Sequence, residues 1–191
     1  TGVLPIQDAF NIIYQNPGNT AKVTVYSGGT LKLSGASLTS DKPLDLQVKS
    51  GGTLIITNST LDSNVAITAH GNAVLQITGS TIGGSLTLDS DASMTMEIKD
   101  TTFANAPTFG GSSVVSLVNV TAAAINQEDN SRVNLYRYAM VSVEDLTTLP
   151  LSGAVVNARF QLDPIATVRA TGISDSGGMV PLKLLVNRMN C

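Results

Sequence analysis

The sequence predicts an all-β chain: a right-handed parallel β-helix (a solenoid) of about six coils, an N-terminal cap and a small C-terminal β-sandwich. Three observations carry this. A segment of roughly 20 residues recurs six times, apolar and polar residues alternate within each copy, and a corner-forming residue follows each copy at a fixed distance.

Residues 1–22 precede the repeat. Leu4, Ile6, Phe10, Ile12 and Ile13 are apolar enough to cover an open first coil, Gln7–Tyr14 reads as a short helix, and Asn16-Pro17-Gly18-Asn19 reads as a turn. A solenoid needs such a lid, because an exposed strand edge recruits other chains.

The β-helix is expected over residues 23–139. Ser27-Gly28-Gly29-Thr30-Leu31 returns as Ser50-Gly51-Gly52-Thr53-Leu54, and alignment extends the series to strands beginning at Leu31, Leu54, Leu75, Met96, Val115 and Val133, spaced by 23, 21, 21, 19 and 18 residues. Two residues on stands a second apolar column, Leu33, Ile56, Ile77, Ile98, Leu117 and Leu135. A third follows at Leu38, Leu61, Ile82, Phe103, Ala122 and Met140. Lys32, Ile55, Gln76, Glu97, Ser116 and Asn134 lie between the first two columns, so one face points inward and the other outward. Shorter strands precede the Gly-rich turns at Val23–Val25, Leu44–Leu46, Val65–Ile67 and Leu86–Leu88. The corner column holds Gly35, Asn58, Gly79, Asp100, Asn119 and Arg137; Gly, Asn and Asp tolerate the left-handed backbone a sharp corner requires. Ser59-Thr60, Ser80-Thr81 and Thr101-Thr102 follow it as expected hydroxyl ladders. The strict six-residue period of left-handed helices is missing, which favours the right hand.

Beyond residue 139 the pattern changes to strands at antiparallel spacing: Met140–Asp145, Gly153–Ala158, Thr167–Thr171 and Met179–Leu184, with turns at Thr147–Pro150 and Asp175–Gly178. Leu149-Pro150-Leu151-Ser152-Gly153-Ala154-Val155-Val156 and Ala170-Thr171-Gly172-Ile173-Ser174-Asp175-Ser176-Gly177-Gly178-Met179-Val180 resemble the P-L-x-G-A-x-V … T-x-x-x-G signature of carboxypeptidase-regulatory-like, immunoglobulin-like modules. The coils before them resemble right-handed parallel β-helix repeat proteins. Their tandem order is similar to that of secreted, cell-surface proteins of prokaryotes, many of them archaeal. The resemblance implies an extracellular place and a module over residues 140–191; it carries no catalytic residue over. Such a module is short at this length, which leaves sheet edges for a neighbouring chain to complete.

Composition narrows the function. The 191 residues carry 11 Lys and Arg against 14 Asp and Glu, a net charge of -3, so the clustered cations of a nucleic-acid binder are missing. Hydrophobic residues reach 42% and charged residues only 13%, which excludes disorder and demands an aliphatic core, since aromatics are 4%. No apolar run approaches the roughly 20 residues that span a bilayer.

The inventory of chemical side chains is thin, and no catalytic, cofactor-binding or metal-ligating residue is assigned. Glycoside hydrolysis needs two carboxylates facing across the bond, roughly 5 to 9.5 Å apart. Aligned columns instead pair Asp41, Asp45, Asp62, Asp89, Asp91, Glu97 and Asp100 with Gln, Ser, Gly or Thr. Tyr26 is the aromatic left for stacking a sugar, since the chain has no Trp. Asp89-Ser90-Asp91 offers oxygen ligands for calcium but no third nearby acid, and reads as a solvated turn. His70, the single histidine, stands in a turn without an evident partner acid, and without a second His or Cys a zinc site is not expected in this chain alone. Asn58-Ser59-Thr60 and Asn119-Val120-Thr121 match the N-glycosylation acceptor pattern, and both asparagines fall in the exposed corner column. Cys191, the single cysteine, is a candidate for an intermolecular disulfide.

These features point to a non-catalytic extracellular structural protein of a cell-surface layer, sheath or filament, assembling as a homo-oligomer or polymer through strand edges. Two other classes stay open: a glycan- or protein-binding module, and a polysaccharide lyase or hydrolase.

Overall fold

The computed structural model describes residues 3–6, 9–12, 21–159 and 167–191, the first two stretches by backbone alone. Among the described residues every regular element is a β-strand. The chain divides into two units, residues 1–134 with 188–191, and residues 135–187.

The first unit is a parallel β-solenoid in which each of the first five coils gives one strand to each of three sheets. Its first coil holds β1 (Val3–Ile6), β2 (Ala9–Ile12) and β3 (Ala21–Val25), and its second β4 (Thr30–Ser34), β5 (Ser37–Ser40) and β6 (Leu44–Val48). The third holds β7 (Thr53–Thr57), β8 (Thr60–Leu61) and β9 (Val65–Ala69), and the fourth β10 (Val74–Thr78), β11 (Thr81–Ile82) and β12 (Leu86–Leu88). The fifth holds β13 (Thr95–Lys99), β14 (Thr102–Phe103) and β15 (Thr108–Phe109); the sixth holds β16 (Val114–Val118) and β17 (Asn126–Gln127), with Thr121 bridging in parallel to Thr102.

Register follows the apolar columns. Leu31 pairs with Leu54 and Leu54 with Leu75, while Leu33, Ile56, Ile77, Ile98 and Leu117 pair in series. The first column is buried throughout, as is the second as far as Leu117. Such a core exists only when coils stack, because one coil alone has nothing to bury its apolar face against.

The solenoid begins earlier than the sequence predicts. β1 pairs in parallel with Thr30–Leu33 and β2 with Ser37–Ser40, so Val3–Ile6 and Ala9–Ile12 belong to the coil stack rather than to a lid over it. Pro5 fits because β1 is the edge of its sheet, where one missing N–H does not break a ladder. Ala9–Ile12, expected to be helical, is strand β2; residues 7–8 and 13–14 and the Asn16–Asn19 turn lie outside the described residues.

The corner column is left-handed in five of its six members: Gly35, Asn58, Gly79, Asp100 and Asn119 have φ of 63°, 48°, 63°, 48° and 52°. Arg137 does not turn. It lies inside β18 (Arg132–Ser142), an 11-residue strand that runs straight on where each earlier coil bends. A residue with a long side chain and no local hydrogen bond to offer the backbone has no reason to accept the left-handed conformation. The third column fails at the same point, since Met140 is exposed where Leu38, Leu61, Ile82 and Phe103 are buried. Asn134 departs from the outward alternation and is buried, because residues 188–191 return to the last coil. There Arg188 Nε donates to Asn134 Oδ1 at 3.0 Å, Arg132 Nε to Asn190 Oδ1 at 3.1 Å, and the Cys191 N–H to the Ser131 carbonyl at 3.2 Å.

The hydroxyl ladder forms as expected. Ser59, Ser80 and Thr101 are buried, and each donates to the carbonyl two residues back, at 2.8, 2.8 and 2.6 Å. The Ser59 hydroxyl accepts the Ala36 N–H and the Ser80 hydroxyl accepts the Ser59 N–H, both at 3.1 Å. The Ser59 and Ser80 hydroxyls thus each satisfy a donor one coil away. Ser80→Ala is expected to orphan the Ser59 N–H and to cost about 1–3 kcal/mol, read as a lower urea midpoint at unchanged slope. Ser80→Thr, which keeps the hydroxyl, is expected to recover most of that loss.

The second unit contains the remainder of β18, β19 (Val155–Ala158), β20 (Ala170–Ile173) and most of β21 (Met179–Asn190). β19 and β20 are antiparallel, with Val155 opposite Ile173. Asp145 closes one turn, its Oδ1 accepting the Thr147 hydroxyl and the N–H groups of Thr147 and Leu149, which together hold its carboxyl below the usual carboxylate range. Asp175 closes another by accepting from Gly177 and Met179. The large apolar side chains buried among the described residues here are Val180 and Leu182, which pack beneath Gly172.

Candidate metal centre on a coil corner

A four-residue turn leads from the third sheet back to the first on successive coils. The N–H of Gly29 donates to the carbonyl of Tyr26, Gly52 to Lys49, Ala73 to His70 and Ala92 to Asp89, at 2.8–3.1 Å. Backbone bonds then stack the turns: the Lys49 N–H donates to Val25 O, His70 to Val48 O and Asp89 to Ala69 O. Tyr26, Lys49, His70 and Asp89 therefore occupy one position of the turn on four consecutive coils.

That stacking gives His70 the partner acids the sequence did not reveal. His70 Nδ1 lies 3.1 Å from Asp89 Oδ2 and 3.4 Å from Asp91 Oδ1, both carried by the turn of the next coil. One ligand atom from each of the three residues lies within 4.8 Å of the others. The expectation of an isolated turn histidine is thus corrected. The partners are 19 and 21 residues distant, and only the coil-to-coil register brings them to the ring.

The donors are held in place. His70 exposes 18% of its side chain, and its Nε2 is buried without a hydrogen-bond partner, so Nδ1 is the nitrogen available outside. Asp89 Oδ1 accepts the Ser90 N–H at 2.7 Å, which turns Oδ2 toward the ring, and Asp91 Oδ1 also accepts the Gly71 N–H at 3.3 Å. Both carboxylates stay open to solvent. Among the described residues neither is ion-paired to Lys or Arg.

The other singled-out acids serve local structure. Asp45 accepts from Gln47 and Thr68, and Asp62 from the backbone of Ser40 and Asn64. Glu97 pairs with Lys99 at 2.7 Å, Asp100 accepts from Asn119 Nδ2 at 3.1 Å, and Asp41 is exposed. Of the two glycosylation candidates, Asn58 is exposed, whereas Asn119 is half-buried with its amide on Asp100. Tyr26 is exposed, and Cys191 is exposed beside the last coil, its Sγ 3.7 Å from the Gln127 carbonyl.

The second unit holds a cleft of about 650 Å³ lined among others by Tyr136, Arg159, Arg169 and Lys183. Lys183 Nζ sits 4.6 Å from the centre of the Tyr136 ring, a cation–π contact. No helix among the described residues is long and apolar enough to cross a membrane. Comparison with protein-family models, curated proteins and solved structures finds no match in any of the three.

Proposed function

We propose that this chain is a non-catalytic structural protein of the cell exterior, a subunit of a surface layer, sheath or filament that associates through residues 135–187. The observation that carries the reading is the uneven distribution of exposed apolar side chains. Among the residues whose burial is described, nine of eleven large exposed hydrophobics lie in residues 135–187: Tyr138, Met140, Leu146, Leu149, Leu151, Val155, Val168, Ile173 and Val186. The coil unit, by contrast, buries its aliphatic columns and exposes Tyr26 and Val74. Exposed apolar surface concentrated on one unit is the usual mark of an interaction surface. The resemblance of residues 149–156 and 170–180 to immunoglobulin-like surface modules, and of the coils to surface β-helix proteins, supports the extracellular placement.

A binding module is the second reading, supported by the cleft around Tyr136, Arg159, Arg169 and Lys183, whose aromatic and cationic lining suits an acidic glycan.

Light scattering and negative-stain microscopy on the full chain distinguish the two. Concentration-dependent assembly is expected, and Leu146→Glu with Leu149→Glu is expected to raise the concentration needed by about tenfold or more at unchanged thermal stability, since both side chains are exposed. A chain that stays monomeric at high concentration and is retained on an acidic-glycan array would overturn assembly in favour of binding.

A further inference from the structure

We infer that His70, Asp89 and Asp91 form a binding site for a divalent first-row transition cation, for which Zn²⁺ is the natural probe. Three features carry the inference. The first is geometry: donor atoms around a cation with bonds of roughly 2.0–2.2 Å lie about 3–3.5 Å apart, and Nδ1 stands 3.1 and 3.4 Å from the two carboxylate oxygens. The second is charge. Two carboxylates converge on one imidazole with no Lys or Arg ion-paired to either among the described residues, so the positive charge is locally deficient and a dication supplies it.

The third is the nature of the donors. One imidazole nitrogen with two carboxylate oxygens is a mixed set that suits zinc and its neighbours, whereas calcium takes six to eight oxygens and gains little from a ring nitrogen. The single protein nitrogen is also restricted in direction, because Nε2 is buried and Nδ1 alone faces the acids. Backbone N–H groups of Ser90 and Gly71 orient the carboxylates, and the coil ladder sets the spacing between the turns. The outer side is open, which leaves water or a group from another molecule to complete the coordination shell. Binding joins two coils through side chains as well as backbone, and so stabilises the stack.

The test is calorimetric titration of the full chain with Zn²⁺, in a Cys191→Ser background that removes the one thiol, together with thermal melts. One bound ion per chain and a raised Tm are expected. His70→Gln and Asp89→Asn are each expected to weaken binding by about tenfold or more and to abolish the Tm increase while keeping the metal-free Tm within a few degrees. Glu144→Gln, an exposed acid of the other unit, is expected to change nothing. With Co²⁺ in place of Zn²⁺, visible absorption bands sensitive to nitrogen ligation are expected and are lost in His70→Gln. Absence of heat and of any Tm shift at millimolar Zn²⁺ would overturn the site. So would a His70→Gln variant that binds as tightly as its parent, or a chain that prefers Ca²⁺ to Zn²⁺.

Discussion

Ile77→Asp is expected to unfold the coil stack. Ile77 is fully buried and pairs in register with Ile56 below and Ile98 above, so a carboxylate there meets only aliphatic neighbours. Losing the side chain's packing and burying an uncompensated charge together cost on the order of 5 kcal/mol or more, comparable with the whole stability of many domains. The position magnifies the effect, since the fourth coil is a nearest neighbour to both halves of the stack and neither can transmit stability across a broken interface. Gln76→Asp is the control: that side chain is exposed one residue away, and the same acid is expected to cost about 1 kcal/mol or less. Urea unfolding followed by circular dichroism reads both. Equal losses would overturn the inward–outward register on which the core description rests.

Gly84→Ala is expected to be strongly destabilising. A β-carbon at residue 84 would lie 2.6 Å from the Val65 carbonyl carbon and closer still to its oxygen. These are backbone atoms, so no rotamer change relieves the overlap, and the fourth coil must lift from the third along that edge. A loss of about 3 kcal/mol is expected, with the transition broadened as coils uncouple. Gly35→Ala separates the two reasons for glycine. Nothing lies within 4 Å of a β-carbon there, but φ is +63°, so only the backbone strain of about 1–2 kcal/mol applies. Thermal melts that rank Gly35→Ala as the more damaging would show that coil contact at Gly84 is looser than described.

What could be read from the linear chain was whatever repeats. The inward columns announce themselves because a period of two on a parallel ladder puts the same residue class at the same place on every coil, as Leu33, Ile56, Ile77 and Ile98 do. The corners were legible for an equally local reason, since Gly, Asn and Asp mark positive φ wherever they recur. Pairings between coils that fall outside the aligned columns were not. β1 and β2 carry no Gly-Gly turn and begin 27 and 28 residues before their partners, outside the 18–23 spacing of the rest. The return of Arg188–Cys191 to the last coil leaves no periodic mark at all. His70 is legible as a turn residue but its partners are not: its neighbours along the chain are Gly71 and Ala69, and the acids that face it arrive from the coil above. Arg137 was visible as the odd member of its column, but a column of corners reads as six corners until one of them runs straight.

The straight passage at Arg137 has a consequence for how such a chain can be inherited. Coils three and four begin at Thr53 and Val74 and the fifth at Thr95, so each occupies 21 residues and ends one ladder step, about 4.8 Å, from where it began. An in-frame duplication of residues 74–94 copies inward columns, corner glycine and buried hydroxyl together, and leaves both ends of the gene untouched. The straight strand β18, with Arg137 at the corner position, lies downstream of the copied residues. A duplication of that kind would lengthen the stack by one whole coil and leave β18 and everything after it unchanged.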